Sequence, residues 1–302
     1  MKKVLITGAT SFIGRHLIKN LLDEYQIIAV VRPKSSKIAM LPKSPNLIKI
    51  ELDMNEYNRI SEEIHENIDV FIHLAWDGTR GKERNDTNLQ EKNYFRSMMA
   101  LKCAVKLNTK TFISAGSQAE YGLWNKEYKL SEKEIAKPNT EYGKFKLNFY
   151  EQASKICKEN TIRFIEPRFF SLYGPDDFEG TMVISTLKKM LLGEECNLTE
   201  GIQKWDFLYI EDAVCGLRKL IENTEAHGIY NFGYGESHQL KEYIQKMYEI
   251  TKSNSKLKWG TIPYPKTGIV HVNPSVDKLK HLGWAPKISF EKGIQEIITF
   301  FK

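Results

Sequence analysis

The chain has 302 residues, of which 41% are hydrophobic and 27% charged, a balance that supports a packed core and excludes a disordered polymer. Its 44 basic and 38 acidic residues leave a net charge of +6, but the surplus is scattered and mostly lysine, unlike the basic run of a nucleic-acid arm. Cys103, Cys157, Cys196 and Cys215 lie far apart with no CxxC pair, so neither a disulfide framework nor a metal site is expected. The apolar run after Met1 is interrupted at Thr7 and Gly8, too short for an export signal, and no window approaches the roughly 18 apolar residues of a membrane helix. The expectation is a cytoplasmic protein whose partners include neither nucleic acid nor membrane.

In chain order, strand-length apolar runs alternate with helical patterns through the first half. Predicted strands cover Val4–Thr7, Gln26–Val31, Leu47–Leu52, Asp69–Ala75, Thr111–Ser114 and Ile162–Glu166. Predicted helices cover Phe12–Leu22, Glu56–His65, Asn88–Leu107 and Glu141–Cys157. Continuous Val/Ile/Leu strands with helices between them are the pattern of a parallel sheet covered on both faces, hence a doubly wound α/β fold. From about residue 168 the rhythm changes. Helices over Thr181–Leu192, Glu211–Asn223, Leu240–Thr251 and Phe290–Phe301 are separated by short strands and by turns such as Tyr173-Gly174-Pro175. This predicts a dinucleotide-binding domain over 1–167 and a smaller α+β substrate lobe over 168–302, with some exchange of segments between them.

The first strand is followed by Thr7-Gly8-Ala9-Thr10-Ser11-Phe12-Ile13-Gly14. Glycines there permit a tight turn, and the free N–H groups of the next helix hold a pyrophosphate. Gly8, Thr10, Ser11, Phe12, Ile13 and Gly14 are therefore candidate cofactor contacts, with Ser11 standing where the motif has its central glycine. An NAD-type acid is missing after the second strand, which ends Val31-Arg32-Pro33-Lys34-Ser35-Ser36-Lys37. Arg32 and Lys37 suit a 2′-phosphate, so NADP(H) is expected ahead of NAD(H).

Tyr142 and Lys146 stand four residues apart, on one helix face. An ammonium there is expected to lower the phenol's pKa and fit it for proton exchange with a carbonyl or hydroxyl oxygen. Ser117 follows the fifth strand, at the edge where doubly wound folds bind their ligands. Ser117, Tyr142 and Lys146 are the candidate catalytic residues.

Together these stretches resemble the extended short-chain dehydrogenase/reductases, the NAD(P)-dependent sugar-nucleotide epimerase/dehydratase family, over essentially the full length. Further matching stretches are His73-Leu74-Ala75, Asn93, Ser114–Gly122, Arg168–Pro175, Trp205–Asp212 and Leu282–Pro286. The resemblance implies a Rossmann fold and a Ser117/Tyr142/Lys146 triad. It implies adenine near Asp53 and Met54, with Leu74, Ala75 and Pro167 along the cofactor and Lys146 on the nicotinamide ribose. The substrate it implies is a nucleotide-diphosphate sugar, met by Trp76, Thr79, Gln118, Ser171, Lys204 and Lys266. A homodimer is implied too, built on helices carrying Tyr94, Phe95, Phe145, Phe149 and Tyr150.

The departures narrow the chemistry. The Asp-Glu pair of the family's dehydratases is Gln118-Ala119 here, the usual asparagine is Ser171, and an arginine that grips the diphosphate is Trp205. Lys266 and His271 remain as cationic substitutes for a missing later arginine. The favoured expectation is an NADPH-dependent reduction of a 4-keto group on a nucleotide-linked, 6-deoxy sugar. A C4 epimerase retaining NAD keeps the same triad and is the alternative. A non-catalytic NADP-binding regulator is disfavoured because both Tyr142 and Lys146 are present.

Overall fold

The computed structural model describes residues 1–126, 128–264 and 269–302. In chain order the first part comprises β1 (Lys2–Thr7), α1 (Phe12–Leu21), β2 (Tyr25–Val31), β3 (Leu47–Glu51), α2 (Ile60–Glu63) and β4 (Val70–His73). It continues with α3 (Thr87–Lys106), β5 (Thr111–Ser114), β6 (Gly116–Ser117), α4 (Glu141–Glu159) and β7 (Arg163–Phe169). The remainder comprises β8 (Ser171–Tyr173), α5 (Met182–Leu192), β9 (Cys196–Asn197), β10 (Lys204–Trp205), β11 (Phe207–Tyr209), α6 (Ile210–Glu222) and β12 (Gly228–Phe232). It closes with β13 (His238–Gln239), α7 (Leu240–Thr251), β14 (Leu257–Lys258), α8 (Asp277–Lys280) and α9 (Phe290–Phe301).

The main sheet runs β12-β7-β5-β4-β1-β2-β3, with β6 also on β7, and its pairings are parallel. Alternate side chains enter opposite cores, as the two-residue strand period requires. Val4, Ile6 and Ile27 pack with Leu17, Ile18, Val214 and Leu217 on the face of α1 and α6. Leu5, Ile28, Phe71 and Phe112 pack with Leu101, Ala104, Phe149 and Ala153 on the face of α3 and α4. Full burial of each large side chain contributes about 1.5–3 kcal/mol. At the sheet's centre His73 Nδ1 lies 2.7 Å from Thr7 Oγ1 and Nε2 lies 2.8 Å from Ser97 Oγ. Burial pushes this imidazole down to about 3, so it stays neutral and joins β1, β4 and α3.

Three differences from the sequence expectation have physical causes. The helix expected over Glu56–His65 is a 3₁₀ segment over 54–59 followed by the short α2. Asp53 and Glu56 form a reciprocal capping box there, which closes a tight first turn. The expected strand Ile162–Glu166 continues to Phe169, because β12 offers it partners from Ile165 to Phe169. β12 itself comes from beyond residue 168, so the C-terminal part of the chain supplies the outer strand of the main sheet.

Candidate active site

β1 neighbours both β2 and β4, so the order reverses at β1, and the turn after it opens where doubly wound folds place ligands. Gly8 adopts φ +69°, and a Cβ there would meet Ala75 N at 2.7 Å. Ser11 has extended backbone, φ −68° and ψ 169°, and its Oγ caps α1 by accepting from Gly14 N–H at 3.1 Å. No glycine is therefore needed at that position. Gly14 is needed: a Cβ on it would lie 2.4 Å from Gly8 O and 2.7 Å from Ala9 O. Gly14→Ala is expected to cost about 1–3 kcal/mol of packing and to weaken dinucleotide binding in proportion, read by fluorescence titration with reduced nicotinamide dinucleotides alongside a thermal melt.

Two cavities flank this turn. One, of about 570 Å³, is lined by Gly8, Thr10, Ser11, Arg32, Lys37, Met54, Leu74 and Ala75. The other, of about 560 Å³, is lined by Ser11, Phe12, Ile13, Leu74, Trp76, Thr79, Gln118 and Ser171 together with Ser117, Tyr142 and Lys146. Ser11, Leu74 and Trp76 belong to both, so the cavities form one groove. A long, two-ended ligand with its anionic middle at the α1 N-terminus fits that shape, which is the outline of a dinucleotide.

Ser117, Tyr142 and Lys146 come together through local folding. Thr140 Oγ1 accepts from Gly143 N–H at 3.1 Å and starts α4. A Cβ on Gly143 would lie 2.3 Å from Ala119 O, so the first turn of α4 presses against the segment after β6. This places Tyr142 beside Ser117, whose hydroxyl acts on the phenol. Lys146, one turn on, donates to Ala115 O at 2.7 Å. Its Nζ sits 3.9 Å from the Trp76 ring centre and 6.0 Å from that of Tyr142. Trp76 is anchored by its Nε1–H donating to Gln90 Oε1 at 2.7 Å.

The ionisation of Tyr142 differs from the sequence expectation. Burial pushes the phenol up to about 12, opposed by the Ser117 hydroxyl and the Arg84 charge. Lys146 is held low, at about 8, by its own burial, opposed by Glu120 and Glu166. Desolvation outweighs the neighbouring ammonium, and the nearer cation is Arg84, whose guanidinium lies 4.7 Å above the Tyr142 ring. Tyr142 is consequently a phenol at neutral pH, able to donate a proton.

Other expected contacts are redistributed. Pro167 lies inside β7 opposite Tyr230, and Phe169 and Phe170 take the groove edge instead. Asp53 uses its carboxylate to accept from Asn55 N–H at 3.0 Å, leaving its neighbours Leu52 and Met54 to line the cavity. Lys204 is exposed while Gln203 and Trp205 line the cleft, the alternation expected of a strand. His271 Nδ1 accepts from Lys204 N–H at 3.0 Å, and Lys266 lies outside the described residues. Arg32 faces Asp77 at 3.0 Å, an acid from the loop after β4 that the local sequence around Arg32 did not disclose.

The sequence reading also missed Arg80, Arg84 and Asp177, all of which line the cleft. Arg80 pairs with Asp177 at 3.3 Å and stacks over Phe178 at 4.9 Å, a contact between the loop after β4 and the loop after β8. Arg80 stands in extended backbone just before a 3₁₀ turn over Gly81–Asn85 that carries Arg84, so no helical spacing in the sequence announced the pair. Among the described residues no group of His, Cys, Asp and Glu forms a metal site, and no helix is long and apolar enough to cross a membrane.

The fold and this groove define a Rossmann-type α/β protein with a Ser-Tyr-Lys cluster beside a dinucleotide-shaped cleft. The chain belongs to the NAD dependent epimerase/dehydratase family, whose model matches residues 4–233, and so to the extended short-chain dehydrogenase/reductases that act on nucleotide sugars. It is 31% identical over 303 residues to a CDP-abequose synthase of Salmonella muenchen, covering 99% of this chain and 97% of that protein. Among solved structures it resembles a UDP-glucose 4-epimerase of Thermotoga maritima bound to UDP-glucose, with TM-score 0.88, 24% identity and coverage of 99% and 98%. A Thermus thermophilus UDP-glucose 4-epimerase complexed with NAD gives TM-score 0.87 at 20% identity, with the same coverage of both chains. These structural likenesses establish the fold.

Proposed function

We propose that the protein reduces the 4-keto group of a nucleotide-linked 6-deoxy sugar with NADPH. The observation that carries this reading is the polar inventory of the cleft. Ser117, Tyr142 and Lys146 converge there, while Asp177 is the only carboxylate among the described lining residues and is engaged by Arg80. Dehydration needs a free acid–base pair, which Gln118 and Ala119 do not supply; ketone reduction needs one proton donor. A bound nicotinamide would supply the hydride to the carbonyl carbon. Tyr142 would give its proton to the carbonyl oxygen, Ser117 would hold that oxygen, and Lys146 would orient the cofactor ribose. The protonated state of Tyr142 at neutral pH suits this direction.

Room for the rest of the substrate supports the same reading. The cleft continues past Met182 and Leu240 into a third cavity of about 250 Å³ lined by Cys196, Asn197, Leu198 and Thr199. A sugar beside Tyr142 would leave its diphosphate and nucleoside running toward that cavity. The similarity to a CDP-abequose synthase adds a nucleotide-sugar enzyme as precedent. The reading includes a homodimer through α3, where Phe95 is exposed beside Tyr94 and Phe145.

A panel of nucleotide-4-keto-sugars with NADPH tests the function, followed by absorbance and product mass. Stoichiometric loss of NADPH with a product heavier by two hydrogens is expected. Isomerisation without net cofactor use would instead establish the C4 epimerase reading, which Asp77 favours by placing a carboxylate where an NAD ribose could meet it. For the cofactor, Arg32 and Asp77 form an exposed pair that contributes little by itself, so a 2′-phosphate can take Arg32 at small cost. Arg32→Ala is expected to weaken NADPH use about tenfold and leave NADH use nearly unchanged, measured as kcat/KM for each. An NADH preference unaltered by the substitution would defeat the 2′-phosphate assignment.

A further inference from the structure

Behind the candidate active site lies a buried charge cluster to which no role has been given. Glu120, Glu166 and Arg168 are at most 1% exposed. Glu120 Oε1 accepts the backbone N–H of Ser117 at 2.7 Å, and its other carboxylate oxygen lies 2.9 Å from Arg168 Nη2. Arg168 Nε donates to Glu166 at 3.0 Å, and its guanidinium is stacked 4.4 Å over Tyr121. Deep burial of two carboxylates around one guanidinium needs a reason, because such groups do not stabilise a fold by themselves. Here the cluster holds the backbone that presents the Ser117 hydroxyl, and Lys146 grips the same stretch by donating to Ala115 O two residues earlier at 2.7 Å.

We infer that Glu120 is a positioning residue: through the Ser117 N–H it fixes where the Ser117 hydroxyl meets Tyr142, and its buried carboxylate, clamped by Arg168, sustains the Lys146 ammonium that holds the same backbone stretch. Glu166 is pushed well above the usual carboxylate range by burial, with Glu120 adding to the effect and Arg168 opposing it. The groups that act on Lys146 come from several elements. The carboxyls of Glu120, after β6, and of Glu166, on β7, favour its ammonium, with Glu120 the stronger of the two. The Tyr142 ring on α4 lies 6.0 Å away, and the neutral His73 on β4 feels its charge.

The inference rests on the proposed Ser117, Tyr142 and Lys146 roles, and its test separates charge from shape. Glu120→Gln keeps an oxygen for the Ser117 N–H but removes the charge. It is expected to shift the alkaline limb of the kcat–pH profile down by about one unit, with KM for the ketosugar little changed. Glu120→Asp, which keeps the charge, is expected to restore the limb, and Glu166→Gln to move it by less than half as far. A lower kcat in Glu120→Gln with the limb unmoved would overturn the inference. If the wild-type protein reduces no ketosugar, the proposed function fails, and the alkaline loss of NADPH and NADH binding, read by fluorescence, provides the same comparison. A shift there in Glu120→Gln supports the inference, and superimposable binding profiles overturn it.

Discussion

Tyr142→Phe is expected to lower kcat for ketosugar reduction about 10³-fold, within the range that one positioned proton donor contributes. KM should change little, because the ring still packs edge-on against Trp76 at 6.2 Å and under Arg84 and only the hydroxyl is lost. Tyr142 is 6% exposed, so water cannot readily replace the missing proton. Wild-type kcat should hold level through neutral pH, since burial places the phenol's titration near 12. A Tyr142→Phe variant with turnover within tenfold of wild type would end the proton-donor assignment, whatever its stability.

Arg168→Met is expected to destabilise the fold by about 3–5 kcal/mol, the usual result of leaving buried charge uncompensated. Its guanidinium is shared by Glu120 and Glu166, so two carboxylates lose their cation at once. The pH dependence has a definite sign. Without Arg168 the Glu166 carboxyl, already raised by burial and held down by that guanidinium, titrates still further above the unfolded value of about 4.3. The native state then binds more protons than the unfolded one, and stability rises as pH falls from about 8 toward 5. Urea unfolding of wild type and variant across that range checks this; a penalty that is constant or grows on acidification would mean the cluster is not held as described.

Much of the fold was legible because the main strands are continuous apolar runs and the long helices carry strong amphipathic patterns. β5 and the helices α7 and α9 fall where the periodicity put them. What escaped was set by contacts distant in sequence. Nothing near Gly228 marks a strand of the main sheet; its partners lie on β7. Asp53 was readable as a candidate ligand contact, but not its capping box with Glu56, and Pro167 likewise, but not its pairing with Tyr230. Within the site, the Gly8–Gly14 turn and the Ser117, Tyr142 and Lys146 cluster were readable from spacing. The ionisation of Tyr142 was not, because desolvation depends on what encloses a side chain. Arg84 was passed over because it meets Tyr142 only through the packing of α4. Glu120 lies in the matching stretch Ser114–Gly122, but nothing in that string shows its side chain turning back to the Ser117 N–H.

The outermost position of β12 has a consequence for how the chain is made. As the polypeptide leaves the ribosome, β1 through β7 are complete well before residue 228 appears, and the outer edge of β7 stands bare in the meantime. An unpaired edge invites pairing with another nascent chain. A gene cut after residue 169, at the end of β7, would make that interval permanent, so the two halves are better regarded as one unit of synthesis than as separable modules.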